Sequence, residues 1–339
     1  MSGRRVSEDD QLGLAAGDGL GASSALIDTL IAPLLSLPDV REDGFRLTQR
    51  TEPRVITSDV FSVDPLVFPG GDIGLLAATG ACNDLLASGA RITEVALGIF
   101  AAASLERSTL QRCLKSFAAP LSELGASVVC GDTKVHPYRQ PELLLYVTAL
   151  GVARSPHRFD MADTVTGDVI IVTGALGDHA IAVLSEREGL GFESVVRSDA
   201  RPLNGPIEEL IDAGLLHSIR DLTRGGLVAA LWDGFRATGL TWSVRKERIP
   251  IHQPVRAAAE MLGLDVLTLT NEGCMLLTAP AEHGTQVIDT LRKWPETAEA
   301  EVIGRVTPAE DISGPQLISE HGGSRLIRMP SGIGIPRLC

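Results

Sequence analysis

The chain has no Cys-x-x-Cys pair, no long basic stretch, and no apolar run approaching the ~20 residues of a membrane span. Each absence excludes something. Five cysteines, at 82, 113, 130, 274 and 339, are odd in number and scattered, which argues against a disulfide framework or a structural zinc site and for a reducing cytoplasm. Lys and Arg total 30 against 43 Asp and Glu, a formal charge of −13, so the positive footprint that nucleic acid or anionic membrane requires is missing. Met1 to Asp10 is polar and charged, so no signal peptide is expected. No HExxH or HxxxH pattern offers a zinc site, and no GxxxxGK[ST] loop offers a Walker-type nucleotide site.

What is present is an ordinary globular composition, 44% apolar and 22% charged, over 339 residues. That is about twice a common domain length of ~100–200 residues, and two domains are expected. Short β-branched runs alternate with amphipathic stretches, the pattern of an α+β, α/β-type chain. Strands are expected at 55–61, 92–100, 127–130 and 143–152, with helices at 72–89 and 108–124, the latter capped by Ser104 or Ser108. A turn-rich connector, 154–167, leads to a second block with strands at 169–173, 241–244, 266–270, 274–279 and 302–306. Its helices are expected at 178–188, 206–215, 225–238, 254–262 and 283–294. The expected division is a 1–50 segment with a Gly-rich loop, a 51–155 domain, a 156–328 domain and a mobile 329–339 tail. Two prolines and two glycines break that tail, and a thiol, Cys339, closes it.

Carboxylates and glycines cluster in short strand-to-loop segments: Ser58-Asp59, Asp64-Pro65, Gly70-Gly71-Asp72, Asn83-Asp84, Gly131-Asp132-Thr133-Lys134, Asp221-Leu222-Thr223-Arg224-Gly225-Gly226 and Asn271-Glu272-Gly273. Mg²⁺ takes hard oxygen ligands, commonly one or two carboxylates together with phosphates. Gly225-Gly226 opens a helix whose positive end favours an anion. Each segment alone reads first as a turn, and together they point to a phosphate site. His179 and His136 are read as structural, and Cys82, Cys113, Cys130 and Cys274 as small packing residues.

These segments, with Val63-Asp64-Pro65-Leu66-Val67-Phe68-Pro69-Gly70-Gly71, Gly177-Asp178-His179 and closing Pro336-Arg337-Leu338-Cys339, resemble the HypE proteins. HypE proteins are carbamoyl dehydratases of the superfamily that includes aminoimidazole ribonucleotide synthetase and selenophosphate synthetase. The resemblance runs in order from about residue 55 to 339. Where that family carries a His-Gly-Ser-Gly-Gly-like stretch, this chain has Gly17-Asp18-Gly19-Leu20-Gly21-Ala22-Ser23-Ser24, and Asp18 adds a carboxylate that repels an anion.

The resemblance implies an N-terminal domain whose mixed sheet contributes to a homodimer interface, and a C-terminal α/β sandwich domain. It implies a carbamoyl group on Cys339, received from a HypF-type carbamoyltransferase, dehydrated with ATP to a thiocyanate, and passed as cyanide to a HypC–HypD-type iron scaffold for nickel–iron hydrogenase. By match, Asp59, Asp84 and Asp221 hold Mg²⁺; Asp64, Asn83, Gly131, Asp132, Thr133, Thr223, Arg224, Gly225 and Gly226 line the ATP; Cys339, Glu272 and Lys134 are catalytic. Glu272 is the expected base, because burial raises a carboxyl pKa toward the working range. Lys134 is expected to hold phosphate or the carbamoyl oxygen. Two alternatives stay open: an amide-activating synthetase of the same superfamily acting on a free small molecule, and a non-catalytic thiol carrier.

Overall fold

The computed structural model describes residues 11–12, 25–36, 51–190, 196–309 and 314–329. The stretch 17–24 and Cys339 lie outside them. Among the described residues, no helix is long and apolar enough to cross a membrane.

Apart from a short hairpin of β2 (Val67–Phe68) and β3 (Gly71–Asp72), the first sheet runs β1 (Arg54–Phe61), β6 (Leu143–Ala153), β4 (Ala90–Ala102), β5 (Ser127–His136). β6 pairs antiparallel with β1 and β4, while β4 and β5 are parallel, so the sheet is mixed. Its pleat separates two faces. Val147, Leu97, Leu145 and Ile99 are buried on one; Ile56, Val60, Phe100 and Tyr146 are exposed on the other.

The buried face is covered by α1 (Ile73–Ala87) and α2 (Arg107–Glu123). Helix α1 is apolar nearly all round and buried on almost every side, as expected of a core helix. It starts where Asp72 caps it, accepting from the Gly74 and Leu75 amides at 2.9 and 3.1 Å. Gly74 lets the two helices approach closely: a Cβ there would lie 1.7 Å from the Cys113 carbonyl oxygen. On its other side α1 meets α4 (Asn204–Asp212) and β8 (Ser218–Asp221). Its C-terminal half therefore carries Asn83 and Asp84 to the junction between the two halves of the chain.

The second sheet has seven strands in the order β13 (Ser324–Leu326), β12 (Gln316–Ile318), β9 (Thr241–Arg245), β11 (Glu301–Thr307), β7 (Val169–Val172), β10 (Met275–Ala279), β8. All neighbours are antiparallel except β12 and β9. α3 (Asp178–Glu188), α5 (Gly226–Thr238), α6 (Gln253–Leu262) and α7 (Gly284–Leu291) complete this half. Together the two sheets and their helices make the expected α+β architecture.

Four local expectations are corrected. Residues 266–270 are not a strand: Asp265 accepts from the Leu267 amide at 3.0 Å and sets a 3₁₀ turn over Val266–Thr268. Neither Ser104 nor Ser108 caps α2; its N-cap is Glu106, and the Ser108 hydroxyl donates to the Glu106 carboxylate at 3.2 Å. Gly131 to Lys134 do not form a turn but continue β5, since parallel pairing with β4 runs on to His136. Cys130 is exposed on that strand, whereas Cys82, Cys113 and Cys274 are buried and unpaired, their thiols pushed up to about 12. His179 is fully buried, its pKa pushed down to about 3, and bonds Ser198 at 2.8 Å, as its structural reading requires.

Candidate active site

Three carboxylates meet where the two sheets adjoin. Asp59 comes from β1, Asp84 from α1 and Asp221 from the end of β8. Asp84 is crowded by acid: burial, a hydrogen bond to Asp59 and the charges of Asp221 and Asp59 raise its pKa from 3.8 to about 8. At neutral pH it therefore holds a proton. Thr57 steadies the group, its hydroxyl lying 3.0 Å from one Asp84 oxygen and 3.4 Å from Asp59. Thr223 donates to Asp221 at 2.5 Å, and Arg224, almost fully exposed, reaches Asp59 at 3.5 Å. A cleft of about 320 Å³ opens here, with Thr57, Asp84 and Asp221 on its wall.

Gly225 and Gly226 follow at once and begin α5 with φ of +75° and +53°. Gly226 is forced by contact as well as by φ, since a Cβ would lie 2.4 Å from the Leu269 carbonyl oxygen. The helix thus starts soon after Asp221 with glycine, which has no side chain, at its cap and first position, an N-terminus of the kind that favours an anion.

Glu272 sits on the neighbouring turn and is 6% exposed. Burial first, then the charges of Asp199, Asp221 and Asp84, raise its pKa well above the ordinary value, and Arg224 partly offsets them. Asn83 is committed to backbone: its amide nitrogen donates to the Glu272 and Arg201 carbonyls, both at 3.1 Å, and its oxygen accepts from the Leu203 amide at 3.0 Å. It ties the site together from below, with no amide hydrogen left over. Asp64 lies on the exposed loop after β1, its carbonyl accepting from Arg187 at 2.6 Å.

The remaining expected residues are elsewhere on the sheet. Asp59 pairs with Val147, Val147 with Leu97 and Leu97 with Gly131. One row therefore crosses all four strands, and Gly131 ends it three interstrand steps, roughly 14 Å, from Asp59. Asp132 falls in the row of Gly98, Tyr146 and Val60, and Lys134 opposes Phe100, so both belong to the open face of the sheet. Within one chain the structure brings Asp59, Asp84, Asp221, Thr223, Arg224, Asn83 and Glu272 together. It leaves Gly131, Asp132, Thr133 and Lys134 on the far edge.

The oxygen donors suit a hard cation that also takes oxygens from phosphate and water. Among the described residues no three His, Cys, Asp or Glu side chains close a metal cage on their own. The proton on Asp84 relieves repulsion between it and the charges of Asp59 and Asp221, as a bound cation would. Two contributors escaped sequence reading. Thr57 is one β-strand threonine among several, and Asp199, which accepts from the Glu272 and Gly273 amides, lies in a stretch with no motif. Only the alternation placing Thr57 on the same face as Asp59 could have pointed to the first.

A mixed four-stranded sheet and a seven-stranded sheet meeting over an acidic cleft make this a two-domain AIR-synthase-type chain. The family model described as AIR synthase related protein, N-terminal domain, matches residues 43–153, and the corresponding C-terminal domain model matches 165–314. Carbamoyl dehydratase HypE of Azotobacter vinelandii is 36% identical over 328 residues, covering 95% of this chain and 96% of that one. A crystal structure of the hydrogenase maturation protein HypE in complex with ATP superposes with a TM-score of 0.91 at 33% identity, over 97% of this chain and 100% of that one. A chain of the crystal structure of a HypE–HypF complex gives 0.78 at 31% identity, over 82% of this chain and 90% of that one. The chain belongs to the HypE carbamoyl dehydratase family.

Proposed function

We propose that this chain dehydrates a carbamoyl group carried on the Cys339 sulfur, with ATP as the second substrate, to give a thiocyanate that supplies cyanide to the iron of nickel–iron hydrogenase. The observation that carries this reading is the buried Glu272 beside the Asp59, Asp84 and Asp221 carboxylates, in a member of the HypE family that contains Pro336-Arg337-Leu338-Cys339.

Direct loss of oxygen from an amide would expel hydroxide. When the carbamoyl oxygen instead takes the γ-phosphoryl group of ATP, ADP departs and the oxygen becomes part of a phosphate leaving group. Loss of that phosphate and of the N–H protons leaves S–C≡N. Asp59, Asp84 and Asp221 would hold Mg²⁺, which offsets charge on the phosphates and on the acids themselves. The glycine-capped N-terminus of α5 and Arg224 would bind phosphate oxygens. Glu272 would take the proton from nitrogen. Neutralising its acidic neighbours lowers its pKa toward that of a base able to work near neutrality.

Lys134 and Asp132 stand on the far edge of the sheet, and a homodimer resolves the separation. Ile56 and Val60 are 65% and 54% exposed, and Tyr146 and Phe100 extend the same apolar face. Among the described residues the strands at both edges, β1 and β5, pair on one side only. A second copy laid on this face would cover the apolar residues and bring one chain's β5 toward the other's β1. The partners proposed beyond the dimer are a HypF-type transferase, supported by the HypE–HypF relative, and a HypC–HypD-type acceptor. Free cysteines among the described residues fit a reducing cytoplasm.

The test is mass spectrometry of the full chain incubated with the transferase and carbamoyl phosphate. One carbamoyl should appear on Cys339, and one water should be lost when MgATP is added. Loading of Cys339→Ala, or loss of water without ATP, would overturn the reading. ATP turnover that ignores the state of the tail would instead favour a free small-molecule substrate.

A further inference from the structure

The stretch from Val196 to Leu203 forms neither helix nor strand, yet Asp199, Ala200 and Leu203 are buried in it. It straps the two halves of the chain together. The Ser198 amide donates to the Pro69 carbonyl at 2.8 Å, and Asn83 on α1 holds the Arg201 carbonyl and the Leu203 amide. A buried carboxylate needs partners, and those of Asp199 are two adjacent peptide N–H groups. One oxygen accepts from the Glu272 amide at 3.1 Å, the other from the Gly273 amide at 3.0 Å.

The approach is close enough to dictate sequence. A Cβ on Gly273 would lie 1.9 Å from the Asp199 carbonyl oxygen, so the residue after Glu272 has to be glycine. The other faces of the turn are also held. Asn83 donates to the Glu272 carbonyl at 3.1 Å, while Asn271 donates to the Leu222 and Leu269 carbonyls and accepts from the Gly177 amide at 2.7 Å. The direction in which the Glu272 side chain leaves the backbone is therefore fixed at both of its peptide groups.

We propose that Asp199 is the positioning residue of the base: by gripping the Glu272 and Gly273 amides it sets where the Glu272 carboxyl meets the amide proton it removes. This rests on Glu272 being that base. The choice of a full negative charge, where a neutral acceptor would satisfy one amide, has a second effect. After burial, the charge of Asp199 is the largest of those that raise the proton affinity of Glu272. Its own pKa is raised to about 6 by burial, against the two amides and Arg201, with Asp178 adding to the rise.

The experiment uses the full-length chain already carbamoylated on Cys339, mixed with MgATP in a single turnover and followed by mass across pH. Asp199→Asn keeps the shape but turns an amide donor toward a peptide N–H. It should bind MgATP and accept the carbamoyl group as the wild type does. Its dehydration should slow about 10- to 100-fold, the scale of a small misplacement of a reacting group. The low-pH limb of its rate should move to lower pH, because a negative charge beside Glu272 has gone. The Asp199→Asn, Glu272→Gln double variant should be no slower than Glu272→Gln alone. A wild-type rate and limb in Asp199→Asn, with Glu272→Gln slow, overturns the positioning role and leaves the base standing. Multiplying defects in the double variant also overturn it. A wild-type rate in Glu272→Gln removes the base, and the proposal with it. Should Asp199→Asn fail the binding control, Asp199→Ser, smaller and able to accept from one of the two amides, is judged by the same readings.

Discussion

Replacing Asp84 by Asn should make this protein more stable and less able to use ATP. In the folded chain Asp84 keeps its proton up to about pH 8, whereas in the unfolded chain the group ionises near 3.8. Below 3.8 both states are protonated and the group costs nothing. Between 3.8 and 8 the unfolded state releases a proton that the folded state keeps, so stability falls as pH rises, by about 1.4 kcal/mol per pH unit. At pH 7 the accumulated cost is about 4 kcal/mol, and at pH 5 it is about 1–2 kcal/mol. Asparagine is neutral in both states and escapes this cost. Its carbonyl can still accept from Thr57, and its NH₂ can donate to Asp59 in place of the acid proton. Allowing for relaxation of the partly exposed cleft, Asp84→Asn should gain about 2–4 kcal/mol at pH 7 and markedly less at pH 5. Urea unfolding of both proteins at the two pH values reads this directly. With MgATP at ~100 times its Kd the wild type should recover about 2.7 kcal/mol, and the variant little. A variant no more stable than the wild type at pH 7, or a gap that does not change with pH, would refute the strained-acid account of the cleft.

Three further outcomes are expected. Glu272→Gln should still accept carbamoyl on Cys339 but lose the low-pH limb of the dehydration rate, because the group whose deprotonation produces it is absent; a retained limb removes Glu272 as base. Val60→Lys, on the open sheet face, should shift sedimentation from dimer to monomer and reduce ATP-dependent dehydration, while leaving the far-ultraviolet circular dichroism unchanged; an unaltered dimer places the interface elsewhere. Gly74→Ala should destabilise the chain by about 1–3 kcal/mol or more in urea, since the added methyl meets the Cys113 carbonyl oxygen, which belongs to helix backbone.

Most strands and helices were legible because hydrophobic periodicity and turn residues acted together. Helix α3 begins and ends where Gly177 and Gly189 adopt positive φ, and 178–188 is also the span read from the sequence. The failures have local causes. Residues 266–270 are β-branched and apolar, but the Asp265 side chain captures the Leu267 amide and curls them into a turn. Gly131 to Lys134 read as a loop by composition, yet β5 continues through them because the pairing with β4 outlasts the propensity of its residues. The acidic part of the site was legible one residue at a time, through Asp beside Asn, Thr or Gly. What joins those acids was not, because neither the Thr57 bond to Asp84 nor the grip of Asp199 on the Glu272 turn follows any spacing along the chain.

The distribution of rigidity across the site follows from these same contacts. Asp84 rides on a helix buried nearly all round, and Glu272 on a turn held by Asp199, Asn83 and the Asn271 network, so Asp84 and Glu272 have fixed relative positions. Arg224, by contrast, is 93% exposed and touches the cluster through one long contact. The proposed substrate, carried on Cys339, would have to enter and leave past something that yields. The rigid groups are those whose job is charge and proton transfer, where displacement by an ångström costs about 100-fold in rate. The loose one is the cation best placed to follow phosphate in and out. With acids already crowded enough to keep Asp84 protonated, the arrival of positive charge is favoured before any carbamoyl group is presented. On the proposed function this predicts an order, MgATP first and the carbamoylated Cys339 second, which binding of MgATP to uncarbamoylated protein would check.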